Sequence, residues 1–181
     1  LAYAQTPEMN LGAGFYSGPQ SVEISSTEPN STIYYSLNGY LPNNGSTEYT
    51  GVLSLESTKI VKAIVVSNNS EILPSFISFN TYFINESHSL PVLSTSADAL
   101  TTLLNGNQSL RPHGTIEYFD IDGNRKDAGY GEYNKHGQDS WQFPQRSFDY
   151  IARDEMGYHD AINDKLLEYS ERESFQRIII R

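Results

Sequence analysis

Up to residue 84, apolar and polar residues alternate in short runs, the two-residue period of half-buried strands. In Ile33-Tyr34-Tyr35-Ser36-Leu37, the odd positions face one way and the even positions the other. Asn38-Gly39 follows, and both residues tolerate φ > 0, so the pair predicts a turn closing a hairpin. Pro42 bars an ordinary central strand directly after it. Residues 22–25, 52–55, 59–66 and 75–84 read as further strands, and 6–14 as an extended lead-in. Turn residues separate them at Glu28-Pro29-Asn30, in the polar loop 42–46 and at Ser67-Asn68-Asn69-Ser70. Short strands at this spacing predict a β-sandwich. No helical period precedes residue 95.

After the polar stretch 85–89 the pattern changes. Residues 96–104 predict a helix, with Ser96 as cap and Ala97, Leu100, Leu103 and Leu104 on one face. Gly106 ends it. Residues 115–120 predict a strand, Asp122-Gly123 a hairpin turn, and 128–133 the return strand. Ile162, Leu166 and Tyr169 share a side of a second predicted helix over 161–169. Ile178-Ile179-Ile180 reads as a closing strand of the kind buried between neighbours. The fold class expected is mainly β: an immunoglobulin-like sandwich over 6–84, a linker over 85–89, and an α+β segment of hairpins with a few helices over 90–181.

A chain of 181 residues suits one or two domains. Its net charge is −10. Before residue 85 only Lys59 and Lys62 stand against six acids; the remainder is far denser in charge. Neither half carries a basic stripe, which excludes nucleic acid as an expected partner. No run approaches the ~20 apolar residues of a membrane helix. The absence of cysteine excludes disulfides and thiolate metal sites. Residues 1–5 resemble the tail of a signal peptide, with Ala2 and Ala4 in an A-x-A arrangement and cleavage before Gln5. With the Tyr, Ser, Thr and Asn bias of residues 6–90, this predicts a bacterial protein that is secreted or displayed at the cell surface. Asn-x-Ser/Thr sequons at Asn30, Asn44, Asn68, Asn85 and Asn107 are what chance places in so Asn- and Ser-rich a chain.

Catalytic templates are sparse. Asp120-x-Asp122-Gly123-Asn124 lacks the glycine at position six and the glutamate at position twelve of a calcium loop, and reads as a hairpin. His88, His113, His136 and His159 have no metal-ligand spacing. The acids at 154–155 and 168–173 read as a solvated face. No catalytic or metal residue is assigned. The distinctive run is 137–148, which holds the lone tryptophan. In it Arg146 could grip a phosphate, with Gly137 and the backbone near Ser140 approaching closely. Alternatively Trp141, Phe143 and Phe148 are core, Pro144 marks a strand edge, and Arg146 pairs with an acid such as Asp149. In the first half, Tyr34 and Tyr40 are candidate platforms for a sugar face, although a strand-rich chain with 13 tyrosines exposes some in any case.

Two resemblances follow. Gly14-Phe15-Tyr16, Val22-Glu23-Ile24, Thr32 through Gly39, Pro42, Tyr49 and Ile60-Val61-Lys62-Ala63 keep an order similar to the small immunoglobulin-like domain at the C-terminus of chitobiases and β-hexosaminidases. That family's Asp-Gly turn is Asn38-Gly39 here. Leu90-Pro91-Val92, Phe119-Asp120, Asp122-Gly123, the run 137–148 and Arg177 through Arg181 resemble the opening part of the spore-coat-protein-H-like (CotH) kinase family, which often follows such a module. That resemblance implies an atypical secreted kinase as parent, using ATP with Mg²⁺ or Mn²⁺. Its metal-binding and catalytic acids would lie beyond the stretch matched. Where the family has Pro-Lys-Lys-Ser-Phe, this chain has Pro144-Gln145-Arg146-Ser147-Phe148, and arginine does not substitute freely for lysine at a geometry-sensitive phosphate site. The expected role is therefore a non-catalytic N-terminal region of a CotH-like surface protein, with no cofactor of its own, whose sandwich is a spacer or binding module. The alternatives are the nucleotide-facing lobe of an active kinase and a carbohydrate-binding module. Expected partners are the rest of its own chain, another surface protein or a polysaccharide.

Overall fold

The structure, a computed structural model, describes residues 1–167 and 169–181; the side chain of Ser140 also lies outside the described residues. The fold is mainly β. In chain order the elements are β1 (Ala2–Tyr3), β2 (Glu8–Met9), β3 (Gly14–Tyr16), β4 (Gln20–Val22), β5 (Ile24–Ser25), β6 (Ser31–Ser36), β7 (Thr47–Glu48) and β8 (Leu53–Leu55). There follow β9 (Lys59–Ser67), β10 (Ile72–Leu73), β11 (Ser78–Ile84), β12 (Val92–Ala97), α1 (Leu100–Leu104), β13 (His113–Phe119) and β14 (Arg125–Lys135). A 3₁₀ turn (Asp139–Gln142), β15 (Phe148–Arg153) and β16 (Arg177–Ile180) complete the chain. Two compact units result: Leu1–Val92 with Ile121–Asn124, and Leu93–Asp120 with Arg125–Arg181.

In the first unit a five-stranded sheet runs β3-β11-β9-β6-β7, with β3 parallel to β11 and the other pairs antiparallel. A second layer forms from the segment 20–25. Its first part, β4, pairs with β8, and its second part, β5, pairs with β2. The predicted single strand 22–25 is thus divided at Glu23, because the partner changes there. Asn10 Oδ1 accepts the Glu23 N–H at 2.9 Å, marking the changeover. Val22, Ile24, Leu53 and Leu55 of this layer meet Val61, Ala63, Tyr82 and Ile84 of the large sheet, which makes the pair a sandwich. Ile33, Tyr35 and Leu37 pack on the same core, as the alternation predicts.

The predicted Asn38-Gly39 hairpin does not form. β6 lies between β9 and β7, and the next strand after it in the chain to pair with it is β7, at Thr47–Glu48; Asn38 instead makes a parallel bridge to Ile60. Asn38 Oδ1 accepts the Tyr40 N–H at 3.1 Å, and only Gly39 of the pair adopts positive φ (77°). The side-chain turn outcompetes the two-residue hairpin. At the start of the chain, β1 pairs in parallel with β10, and the Ala4 N–H donates to Leu73 O at 2.9 Å.

The second unit is one five-stranded sheet in the order β12-β13-β14-β15-β16, with β13 through β16 antiparallel in turn. The hairpin at Asp122-Gly123 forms, with Gly123 at φ 82°. One sheet face carries Ile116, Tyr118, Tyr133, Phe148, Tyr150 and Ala152, and α1 adds Leu100 and Leu103 to that core.

The predicted helix 96–104 contracts to Leu100–Leu104. Ser96 does not cap it: it lies in β12, its hydroxyl 2.9 Å from that of Thr115. Pairing with β13 overrides the weak local helix pattern. Gly106 does follow the helix, at φ 119° with its N–H donating to Leu103 O. The predicted helix 161–169 is absent among its described residues. Ile162 and Phe175 exchange both backbone hydrogen bonds across an isolated bridge, at 2.9 and 3.0 Å. Asp127 and Asp164 side chains take the N–H groups of Asn163 and Lys165, so side chains compete with the helical ladder. Among the described residues β16 pairs with β15, and Ile179 is 46% exposed.

Candidate functional site

The residues singled out in the run 137–148 have different burial. Trp141 is buried, its indole N–H shared between His136 O (3.0 Å) and Ser147 O (2.8 Å). Phe148 is buried as well, but Phe143 is 63% exposed and is not core. Arg146 does not pair with Asp149. Its guanidinium donates to Leu104 O at the end of α1 and lies 5.6 Å from the Trp141 ring centroid. A cation at the C-terminal end of a helix completes carbonyls that lack an intrahelical donor. Gly137 follows β14 with φ 71°. The Ser140 side chain is outside the described residues.

A nucleotide with a divalent ion would need a phosphate grip and converging carboxylates. Arg146 is committed to a backbone carbonyl, and no group of three His, Asp or Glu side chains among the described residues could hold a metal ion. The residues present do not fit that group.

The sheet face opposite the apolar core of the second unit carries the charge, a feature the alternation of β13 to β16 encodes but that no motif advertised. Glu117 is 1% exposed and pairs with Arg125 at 2.9 Å. His113 lies 3.6 Å from Glu132 and 3.3 Å from Glu155, and Arg153 stands 3.7 Å from Glu132. Asp149, 1% exposed, pairs with Arg177 and with His136, whose Nδ1 is 2.9 Å from Oδ1. The hydrogen bond from Arg177 stabilises its charged form and raises its pKa. Burial holds the nearby phenols neutral: Tyr130 and Tyr158 are each pushed up to about 12, and Tyr133 and Tyr150 also rise.

In the first unit Tyr34 is half-buried on β6, on the side away from Tyr35, and Tyr40 is 50% exposed in the following loop. The Tyr40 carbonyl accepts from Ser36 Oγ at 2.6 Å, which anchors that loop to the end of β6. An open depression of about 520 Å³ has Glu28, Asn30, Ser67, Asn68 and Ile72 among its walls. No helix among the described residues is long and apolar enough to cross a membrane.

Residues 11–73 match the chitobiase/beta-hexosaminidase C-terminal domain family. The match runs from the approach to β3 through β10, and β11 lies outside it. No curated protein and no solved structure matches the chain.

Proposed function

We propose that this chain is a non-catalytic, carbohydrate-related surface region: a sandwich that engages polysaccharide, followed by the opening part of a CotH-like domain. The observation that carries the reading is the family match over residues 11–73, laid on strands that share one sandwich core. The exposed Tyr40 ring and half-buried Tyr34 supply the aromatic surface on which a pyranose face stacks. The CotH-like part rests on the order of motifs after residue 90 and on the run 137–148. Export rests on the Ala2-Tyr3-Ala4 pattern; a natural N-terminus at Gln5 on exported material would support it, and one at Leu1 would remove it.

The test is retention of the full chain on insoluble chitin, cellulose and peptidoglycan. The reading expects retention on one of these that Tyr34→Ala with Tyr40→Ala reduces without altering the circular-dichroism spectrum. Passage through all three would overturn the binding role. The kinase alternative has less behind it, since Arg146 is engaged by Leu104. Labelled ATP with Mg²⁺ or Mn²⁺ and a serine-rich peptide should give no transfer above background; transfer abolished by Arg146→Ala would reinstate it.

A further inference from the structure

Two turns of the first unit meet at the end of the β6–β9 ladder. Ser31 of β6 stands opposite Ser67 of β9, so Asn30, just before one, and Asn68, just after the other, are neighbours. The Asn68 N–H donates to Asn30 O at 2.9 Å and ties the turns together. Surrounding groups fix each turn in itself. The Glu28 N–H donates to Ser26 Oγ at 3.0 Å, and Ser31 Oγ donates to Glu28 O at 2.8 Å. In the facing turn the Asn69 N–H donates to Ser67 Oγ at 3.2 Å, and the Glu71 N–H to Asn69 Oδ1 at 3.0 Å. Asn30 holds φ 50°, a left-handed backbone that asparagine tolerates better than most residues.

The carboxamides of Asn30 and Asn68 take no part in this bracing. Among the described residues neither makes a hydrogen bond. Both residues are exposed, and both line the open depression of about 520 Å³, together with Glu28, Pro29, Ser67 and Ile72. That volume falls within the range of small-molecule sites, roughly 300–1,000 Å³. Each carboxamide offers two N–H donors and a carbonyl acceptor. Glu28 adds a carboxylate, one oxygen of which, Oε2, accepts the Gln5 N–H at 3.2 Å. Pro29 and Ile72 add apolar surface between the polar groups. No lysine or arginine is among the lining residues.

We propose that this depression binds a neutral saccharide, held by the Asn30 and Asn68 carboxamides with Glu28 accepting from a further hydroxyl. Neighbouring sugar hydroxyls each donate and accept, and a pair of carboxamides meets both needs at once. The C–H face of the ring covers Pro29 and Ile72, which removes apolar surface from water. The Glu28 carboxylate, with no cation in the lining to offset it, disfavours an anionic sugar. Because the backbone on both sides is already pinned, little further ordering is needed on binding. The inference rests on the reading of the first unit as saccharide-engaging and assigns it a second place of contact. Asn30 precedes β6, whereas Tyr40 follows it.

The experiment uses the full chain, ¹⁵N-labelled, with the side-chain NH₂ signals of Asn30 and Asn68 followed by ¹H–¹⁵N correlation. The expected result is a saturable movement of both signals on adding cellobiose or N,N′-diacetylchitobiose. Asn68→Ala, and Asn30→Gly, which keeps the positive φ accessible, should each weaken that binding about threefold to tenfold, the worth of one neutral hydrogen bond. The wild-type titration stands by itself if either variant fails to fold. Sugar-induced shifts confined to the surroundings of Tyr34 and Tyr40, with both carboxamides unmoved, would overturn this site and leave the saccharide reading of the first unit standing. Retention on none of the insoluble polysaccharides, with no signal moved by either sugar, would remove both. Movement of the carboxamides with Ca²⁺ but with neither sugar would overturn the proposal in favour of a cation site.

Discussion

The Arg146 guanidinium donates to the carbonyl of Leu104, joining the irregular run before β15 to the last residue of α1. A Cβ added at Gly106, whose φ is 119°, would stand 3.8 Å from the same guanidinium. A basic residue in a motif-like setting is thereby explained by packing. Arg146→Ala should destabilise the second unit by about 1–3 kcal/mol, combining a charge-assisted hydrogen bond with a cation–π contact. The buried Arg146 Nε has no acceptor, which places the cost toward the lower end. Urea midpoints of the two proteins measure it, and an unchanged midpoint would show that this contact contributes nothing.

Tyr82 and Tyr35 should separate cleanly in stability. Tyr82 is 0% exposed, and its hydroxyl donates to Leu11 O at 2.7 Å. Tyr82→Ala should therefore cost about 3–5 kcal/mol, the scale for emptying a large buried aromatic site. Tyr35 is only half-buried, edge-on to Tyr49 at 6.3 Å. Tyr35→Ala should cost about 1–3 kcal/mol, scaled down with its burial. Equal losses in thermal or urea unfolding would contradict this ordering.

Gly131 has no room for a methyl group. A Cβ there would stand 2.2 Å from Ile151 O and 3.0 Å from Ala152 Cα, both backbone atoms of β15. Backbone cannot rotate aside as a side chain does, so Gly131→Ala must push β14 and β15 apart. The expected loss is about 1–3 kcal/mol, as for overpacking a filled core. A variant with wild-type stability would mean that this sheet yields more readily than its register implies.

Alkali should unfold the second unit. Tyr130 and Tyr158 have folded pKa values near 12 against an ordinary 10.0, chiefly because burial penalises the phenolate. Between those limits the unfolded chain releases protons that the folded chain retains. Stability is thus whole below pH 10 and falls as pH rises toward about 12. Tyrosinate absorbance and circular dichroism, recorded together, should show these phenols ionising as the sheet is lost. Ionisation of the same phenols with the sheet intact would refute the linkage.

Period-two alternation made most strands legible, including the core-facing set Ile33, Tyr35 and Leu37, because it reports directly which side chains leave water. Positions where two local signals compete were less legible. Asn38-Gly39 reads as a hairpin, yet the Asn38 side chain closes a different turn. Residues 161–169 read as a helix, yet Asp127, more than thirty positions away, takes the Asn163 N–H. The Asp149–His136 pair was invisible for a different reason. It depends on the register of β14 with β15, where Asn134 stands opposite Asp149, and register is a property of two strands rather than of either one.

The parallel pairing of β3 with β11 bears on the order of events during synthesis. Gly14 lies opposite Tyr82 and Tyr16 opposite Ile84, so an early-emerging segment must wait for one made much later. β1 and β10 repeat the arrangement on a smaller scale. The ribosome delivers the N-terminal strand long before its neighbour exists, and closing so long a loop is entropically slow. Gln20–Val22 and Leu53–Leu55 can meet sooner. Closure of the large sheet at β3 therefore comes after the shorter-range pairs of β6 with β7 and β4 with β8 have their partners.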